Sequence, residues 1–342
     1  LTNVPLLEVK QLKKYFPQHG GITGKKVMRE VKAVDGVSFT VNRGETLGIV
    51  GESGCGKSTM GRTILKLLEP TSGEIFFDGN DITDLTPKDM MKYRKEMQII
   101  FQDPFASLNP RMKVFQIIEE PLINFGMKDK ESRKRRVIEV AEQVGLTKAQ
   151  LNRLPHEFSG GQRQRIGIAR ALISKPKFII ADEPVSALDV SIQSQVLNLM
   201  RDLQKEYDLT YLFISHDLSV VKHFCDRIGV MYLGKMVELT DKNSLYNNPL
   251  HPYAQSLLSS LPKSHPDEKK ERIVLTGDVP SPSNPPTGCT FHPRCFACME
   301  VCKSVVPKFI EVEKEHFTSC HLYPNSEELT NTNIEKESVS HV

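Results

Sequence analysis

The sequence predicts an α/β fold with a parallel central sheet, on three observations. Short apolar runs recur along the first 250 residues, and stretches with helical spacing separate several of them. Strand, helix, strand in that order implies parallel pairing through a crossover. The run Glu45–Val50 reads as a buried strand and leads straight into a glycine-rich turn. Beyond about Pro249 the composition shifts: prolines cluster at 280, 282, 285 and 286, and five of the seven cysteines fall between 289 and 320. A first domain over 1–250 is therefore expected, then a small, loop-rich accessory domain over 251–324 and a polar, disordered tail over 325–342.

The elements follow in order. Residues 6–12 and 33–50 read as short strands split at the turn signals Asp35-Gly36 and Asn42-Arg43-Gly44. Met60, Ile64, Leu67 and Leu68 are spaced for a helix. Gly73–Gly79 and Met97–Phe101 read as further strands. From about Asp103 the pattern turns mostly helical and contains the basic run Lys128–Arg136. That run suits a solvated loop and helix start, or else a phosphate- or nucleic-acid-binding patch. Strands at Phe178–Ala181 and Thr210–Ser215 flank a helix over Ile192–Tyr207, and a hairpin over Arg227–Leu239 turns at Gly234-Lys235.

Composition sets bounds on the partners. The chain has 45 basic and 42 acidic residues, a net charge of +3, which gives no reason to expect bulk nucleic-acid binding. No stretch approaches eighteen consecutive apolar residues, and the N-terminal segment lacks the basic start and apolar core of a secretory signal. A cytosolic address is the default expectation. There thiols stay reduced, and clustered cysteines suggest metal before disulfides.

Residues 51–58, Gly51-Glu52-Ser53-Gly54-Cys55-Gly56-Lys57-Ser58, have the spacing of a phosphate-binding loop. Its glycines let backbone amides approach phosphate oxygens, and the amides from Gly54 to Thr59 can converge on an anion. Lys57 would contact the β- and γ-phosphates and the Ser58 hydroxyl would ligate Mg²⁺. An apolar strand before the loop and an amphipathic helix after it meet the motif's context requirement. Downstream, the apolar strand Phe178–Ala181 ends in Asp182 and Glu183. Asp182 can hold Mg²⁺ through water, and Glu183 can orient and polarise an attacking water; alone, this ending also suits a strand that stops at a polar turn. Ser159-Gly160-Gly161-Gln162 matches a capping box, and its glycines at a helix start invite an anion.

These motifs in this order resemble the ATP-binding-cassette (ABC) ATPases over roughly residues 5–250. The set comprises the phosphate loop, Gln102 after a strand, Ser159–Gln162, Asp182-Glu183, Ser186-Ala187-Leu188-Asp189 and His216 after an apolar strand. The resemblance implies a RecA-like core with a β-subdomain and a helical subdomain at about 103–165. It also implies two cassettes facing head to tail around two ATP molecules. Ser159, Gly160, Gly161 and Gln162 would then touch the γ-phosphate bound to the partner. Gln102 would help ligate Mg²⁺, His216 would bridge to the γ-phosphate, Asp189 would couple the two sites, and Tyr15 would stack on adenine. A partly buried surface tyrosine is the other reading of Tyr15.

Further segments resemble the second ATPase of oligopeptide and dipeptide permeases, the OppF/DppF type. They are Leu12–Pro17, Val31–Phe39, Gln102–Arg111, His251-Pro252-Tyr253 and Gly288–Cys295. This resemblance extends to about residue 324. It implies a paralogous ATPase partner, two transmembrane permease subunits, an extracytoplasmic substrate-binding protein, and a peripheral position on the cytoplasmic face of the cell membrane. Nickel or other cargo stays open beside peptides, as does a non-transport ABC ATPase. Cys289, Cys295, Cys302 and Cys320, separated by five, six and seventeen residues, match the pattern in many peptide-importer ATPases that looks like a [4Fe–4S] site. Four thiolates suit a cluster or Zn²⁺, and unliganded packing cysteines are the third reading. Cys298 falls inside the pattern as a spectator or competing ligand.

Overall fold

A computed structural model describes residues 4–20, 26–261 and 272–323. The expected disordered tail lies outside the described residues. The chain opens with strands β1 (Leu7–Gly20) and β2 (Lys26–Val41), followed by β3 (Thr46–Val50) and helix α1 (Lys57–Ile64). Next come β4 (Ser72–Phe77), β5 (Asn80–Asp81), α2 (Pro87–Glu96) and β6 (Met97–Ile100). Helices α3 (Val114–Asn124), α4 (Lys130–Gln143) and α5 (Gly160–Leu172) form the helical region, which ends at β7 (Phe178–Asp182). The α/β alternation resumes with α6 (Val190–Tyr207), β8 (Thr210–Ile214), α7 (Leu218–Phe224), β9 (Arg227–Tyr232) and β10 (Lys235–Asp241). Helices α8 (Lys242–Asn247) and α9 (Pro252–Ser259) and the hairpin β11 (Ile310–Glu313) and β12 (His316–Thr318) complete it.

The main sheet runs β11-β12-β10-β9-β3-β8-β7-β6, with parallel pairing from β9 through β6. Every residue of β3, β7 and β8 is buried. Alternate side chains enter two different cores. Tyr211 and Phe213 of β8 pack with the helices, whereas Leu212 and Ile214 pack against the layer built on the second sheet, β2-β1-β4-β5. Burial on both faces leaves the interiors of these strands apolar, which is why they read as nearly continuous runs, with polar residues only at their ends, Thr46, Thr210 and Asp182.

Three features depart from the sequence reading. The strands expected at 6–12 and within 33–50 are parts of a longer antiparallel pair, β1 and β2, with register shifts that bend it. Helix α2 was not expected: Met90 is its one buried residue, so apolar periodicity is nearly silent. Its signal is the start, where the Thr86 hydroxyl accepts from the Asp89 amide and Pro87 takes the first turn. The expected boundary near residue 250 marks a change of composition, but the sheet continues past it, because β12 pairs antiparallel with β10.

The basic run Lys128–Arg136 begins α4, capped by Asp129. Arg133 turns back to Glu119 at 2.7 Å, and Arg136 binds Glu139 at 2.7 Å.

The C-terminal segment is anchored by a buried carboxylate. Glu238 of β10 accepts the amides of Leu250 (2.9 Å) and His251 (2.7 Å) and pairs with Nε2 of His316 on β12 (2.8 Å). His251 is itself buried, and its Nδ1 accepts the Tyr253 amide at 3.0 Å, capping α9. Burial pushes its imidazole from the ordinary 6.5 down to about 3. The unfolded chain binds a proton below about pH 6.5 that the folded imidazole refuses, so this site lowers stability as pH falls from there, by about 1.4 kcal/mol per unit. His251→Asn keeps a capping side chain. Chemical denaturation at stepped pH is expected to show a shallower loss of stability between pH 6.5 and 5 in His251→Asn; parallel profiles would contradict this account.

Candidate nucleotide site

The parallel strands end at one level. Ile49 of β3 pairs with Ile214 of β8, Asp182 of β7 pairs with Ile214, and Ile100 of β6 pairs with Ala181. The crevice beyond the carboxyl ends of such strands is where open α/β sheets bind ligands. Here it holds a cavity of about 410 Å³, lined by Lys57, Ser58, Thr59, Gln102, Glu183 and His216. Ser53, Gly54 and Gly56 of the loop also face it, and Val31, Ala33 and Pro282 form another wall.

Steric necessity shapes the loop. Gly56 has φ +106°, and a Cβ there would lie 1.9 Å from the Ala33 carbonyl oxygen. At Gly51 a Cβ would lie 2.2 Å from the Met231 carbonyl oxygen. Lys57 is buried, and its ammonium donates to the carbonyls of Gly51 (2.7 Å) and Glu52 (3.0 Å), inside the curve of the loop. Cys55 is buried beneath the loop, and burial pushes its thiol up.

Ser58, at the start of α1, donates to Asp182 at 2.6 Å. Asp182 is buried; desolvation raises its carboxyl above the usual range, opposed by the Ser58 hydrogen bond and by Arg62, 3.8 Å away. One residue on, Glu183 takes φ +47° and turns its carboxylate into the cavity. A single oxygen, Oε2, accepts Gln102 Nε2 at 2.8 Å and lies 3.1 Å from His216 Nδ1. Three residues just past the ends of β6, β7 and β8 thus meet at one carboxylate. A hydroxyl and a buried carboxylate form an oxygen set suited to Mg²⁺, and a second carboxylate with two fixed neighbours is suited to water activation.

The other sequence-predicted residues lie apart from this cavity. Ser159 is exposed at the start of α5; its hydroxyl accepts the Gln162 amide at 3.4 Å, and Gln162 Oε1 accepts the Ser159 amide at 3.1 Å. Gly161 is buried, and a Cβ there would strike Ile192 at 2.4 Å, while Gly160 is half-buried beside Leu188. Asp189 is exposed at the start of α6. Tyr15 hydrogen-bonds Asp35, with Lys32 over its ring at 5.6 Å, and does not line the cavity.

Cys289, Cys295, Cys302 and Cys320 share one neighbourhood. Cys289 donates its amide to the Cys302 carbonyl at 2.9 Å. Burial raises the Cys289 thiol to about 11 and the Cys320 thiol to about 12, and in both cases the neighbouring cysteines add to the rise. Cys298 is exposed. Among the described residues, no group of three or more His, Cys, Asp or Glu side chains stands at metal-holding spacing.

Sequence reasoning missed the reach of the C-terminal segment. Arg294 grips Glu52 through both carboxylate oxygens, at 2.9 and 3.1 Å. The Tyr253 hydroxyl accepts the Glu52 amide at 2.9 Å, and the Pro282 carbonyl accepts the Lys32 amide at 3.2 Å. These contacts span 201 to 250 positions and leave no local pattern.

The fold and this site define a nucleotide-hydrolysing cassette that uses ATP and Mg²⁺. The family model described as ABC transporter matches residues 34–186, and that for the oligopeptide/dipeptide transporter C-terminal region matches 237–302. The chain is 59% identical over 321 residues to the oligopeptide transport ATP-binding protein AppF of Bacillus subtilis (strain 168), covering 93% of this chain and 97% of that one. It is 51% identical over 304 residues to the dipeptide transport ATP-binding protein DppF of Escherichia coli (strain K12), covering 89% and 90%. Among solved structures, the dimeric ATP-binding cassette MJ0796 in a post-hydrolysis state with ADP and Pi matches with a TM-score of 0.61 at 30% identity, covering 69% of this chain and 98% of that one. CbiO1 from Clostridium perfringens, part of the ABC transporter complex cbiONQ, matches with a TM-score of 0.61 at 29% identity, covering 71% and 91%. The chain belongs to the oligopeptide/dipeptide branch of the ABC transporter ATP-binding subunits.

The loop's geometry makes a direct prediction. Gly56→Ala is expected to destabilise the nucleotide-free protein by about 3 kcal/mol, since a carbonyl must move. Gly54→Ala, whose Cβ would meet nothing within 4 Å, is expected to cost about 1 kcal/mol for its left-handed backbone alone. Equal melting temperatures for the two variants would contradict this.

Proposed function

We propose that this chain hydrolyses ATP to power import of oligopeptides or dipeptides through a membrane permease, as one of two facing cassettes. The observation that carries the hydrolytic reading is the meeting of Gln102, Glu183 and His216 beside the Ser58–Asp182 pair. The cargo reading is supported by the 51–59% identity to oligopeptide and dipeptide transport ATP-binding proteins. No described helix is long and apolar enough to cross a membrane, which suits a peripheral subunit. In this reading it sits on the cytoplasmic face beneath two permease subunits, beside a paralogous ATPase, with cargo delivered by an extracytoplasmic binding protein.

Lys57 and the amides of Gly54–Thr59 hold the phosphates, and Tyr15 stacks on adenine with its hydroxyl anchored on Asp35. Ser58, Asp182 and Gln102 would hold Mg²⁺, which when bound would neutralise charge developing on the phosphates. The Glu183 carboxylate orients a water and takes its proton as the water oxygen bonds to the γ-phosphorus. The bond from that phosphorus to the bridging oxygen breaks, leaving ADP and inorganic phosphate. Gln102 and His216 fix the direction of the carboxylate, and His216 steadies the γ-phosphate. Ser159–Gln162 complete the partner's site, and Asp189 couples the two. ATP bound between the cassettes thereby closes the pair, and hydrolysis releases it.

Glu183→Gln keeps the shape but cannot accept a proton. The intact complex carrying it is expected to retain ATP in a closed pair and to lose at least about a hundredfold in turnover. Near-normal phosphate release would remove Glu183 from this role.

Cys289, Cys295, Cys302 and Cys320 are the set to hold a [4Fe–4S] cluster, with Zn²⁺ as the competing occupant. Support comes from their shared neighbourhood in the fold; the match to the oligopeptide C-terminal family model takes in Cys289, Cys295 and Cys302 and stops short of Cys320. Binding requires the raised thiols to lose their protons and draw closer. Anaerobically purified protein is expected to be brown and to carry iron; a colourless, zinc-loaded protein would overturn the iron assignment.

A further inference from the structure

We infer that Arg294 is a positioning residue for ATP binding, acting through Glu52 of the phosphate loop. Glu52 is the one acidic residue in 51–58. Its carboxylate carries the same sign of charge as the phosphates that the loop receives, so left unpaired it would oppose them. Arg294 answers this with a two-pronged grip on Oε1 and Oε2, and its side chain is only 8% exposed. The guanidinium does not reach the site by chance of surface motion. Its amide donates to the Phe291 carbonyl at 3.0 Å, and Phe291 is fully buried against Tyr232 and Tyr253. Tyr253 in turn takes the backbone amide of Glu52. Side chain and main chain of the loop's second residue are therefore both held by the C-terminal segment, from two points of one aromatic cluster.

The inference rests on residues 51–58 receiving the nucleotide. Its signature is electrostatic, which separates it from a packing role. In the intact transporter complex, Arg294→Ala is expected to raise KM for ATP about tenfold while kcat stays within about twofold. Glu52→Gln combined with Arg294→Ala removes the exposed carboxylate and is expected to return KM to within about threefold of wild type. Arg294→Lys keeps the charge but loses the fork, and is expected to raise KM about threefold. It carries the test should the Arg294→Ala complex fail to assemble. A wild-type KM in Arg294→Ala or Arg294→Lys overturns the proposal, as does a double variant whose defect equals the sum of its parts. Binding of a fluorescent ATP analogue to Lys57→Ala checks the underlying site: undiminished binding there sinks the phosphate-loop reading itself. Lost binding in Lys57→Ala beside unchanged KM in Arg294→Ala sinks only the role of Arg294.

Discussion

Glu183 depends on two neighbours that the chain brings from 81 residues upstream and 33 residues downstream, Gln102 and His216. No local preference holds these three together. Their meeting requires β6, β7 and β8 to pair in parallel and in one register, so that the residues following each strand emerge side by side. A one-residue slip would turn Asp182 to the wrong face and take Ser58 out of its reach. The register is secured by burial on both faces: Ile179 and Ala181 lock into one core while Phe178 and Ile180 lock into the other. The chemistry is polar and faces a cavity, but apolar packing behind it sets its accuracy.

The phosphate loop obeys a complementary constraint, the exclusion of side chains. Gly56 and Gly51 lie against carbonyls of Ala33 and Met231, so the loop is sandwiched between the second sheet and β9. Lys57 then fills the curve with charge, and its buried ammonium donates to the carbonyls of Gly51 and Glu52. The loop is thus moulded from outside by two strands and from the flank by Tyr253 and Arg294. Its shape belongs to the whole molecule.

Much of this was legible before any coordinates. The strands β3, β7 and β8 announce themselves because covering both faces leaves their interiors apolar, and Ser159–Gln162 announces a helix start because a cap needs those residue types in that order. Helix α2 stayed hidden because it buries almost nothing, and the full length of β1 and β2 because their bulged pairing breaks the alternation that marks a strand. The contacts of Arg294, Tyr253 and Pro282 were invisible for another reason: they join points more than 200 positions apart and repeat no pattern. Local rules read elements and motifs, whereas the side chains that brace a motif from a distance are set by tertiary packing.

The hairpin of β11 and β12 has a meaning beyond anchoring. Without it, β10 would be the last strand of the main sheet, with the apolar side chains of Met236, Val237 and Leu239 and open hydrogen-bonding groups along one side. Such a rim is a template for strand addition by any other chain. β12 occupies it, and β11, with the charges of Glu311 and Glu313 exposed, becomes the outermost strand in its place. The hairpin is thus a guard against sheet-to-sheet aggregation, and a chain cut short before residue 310 would trade a sealed margin for a sticky one.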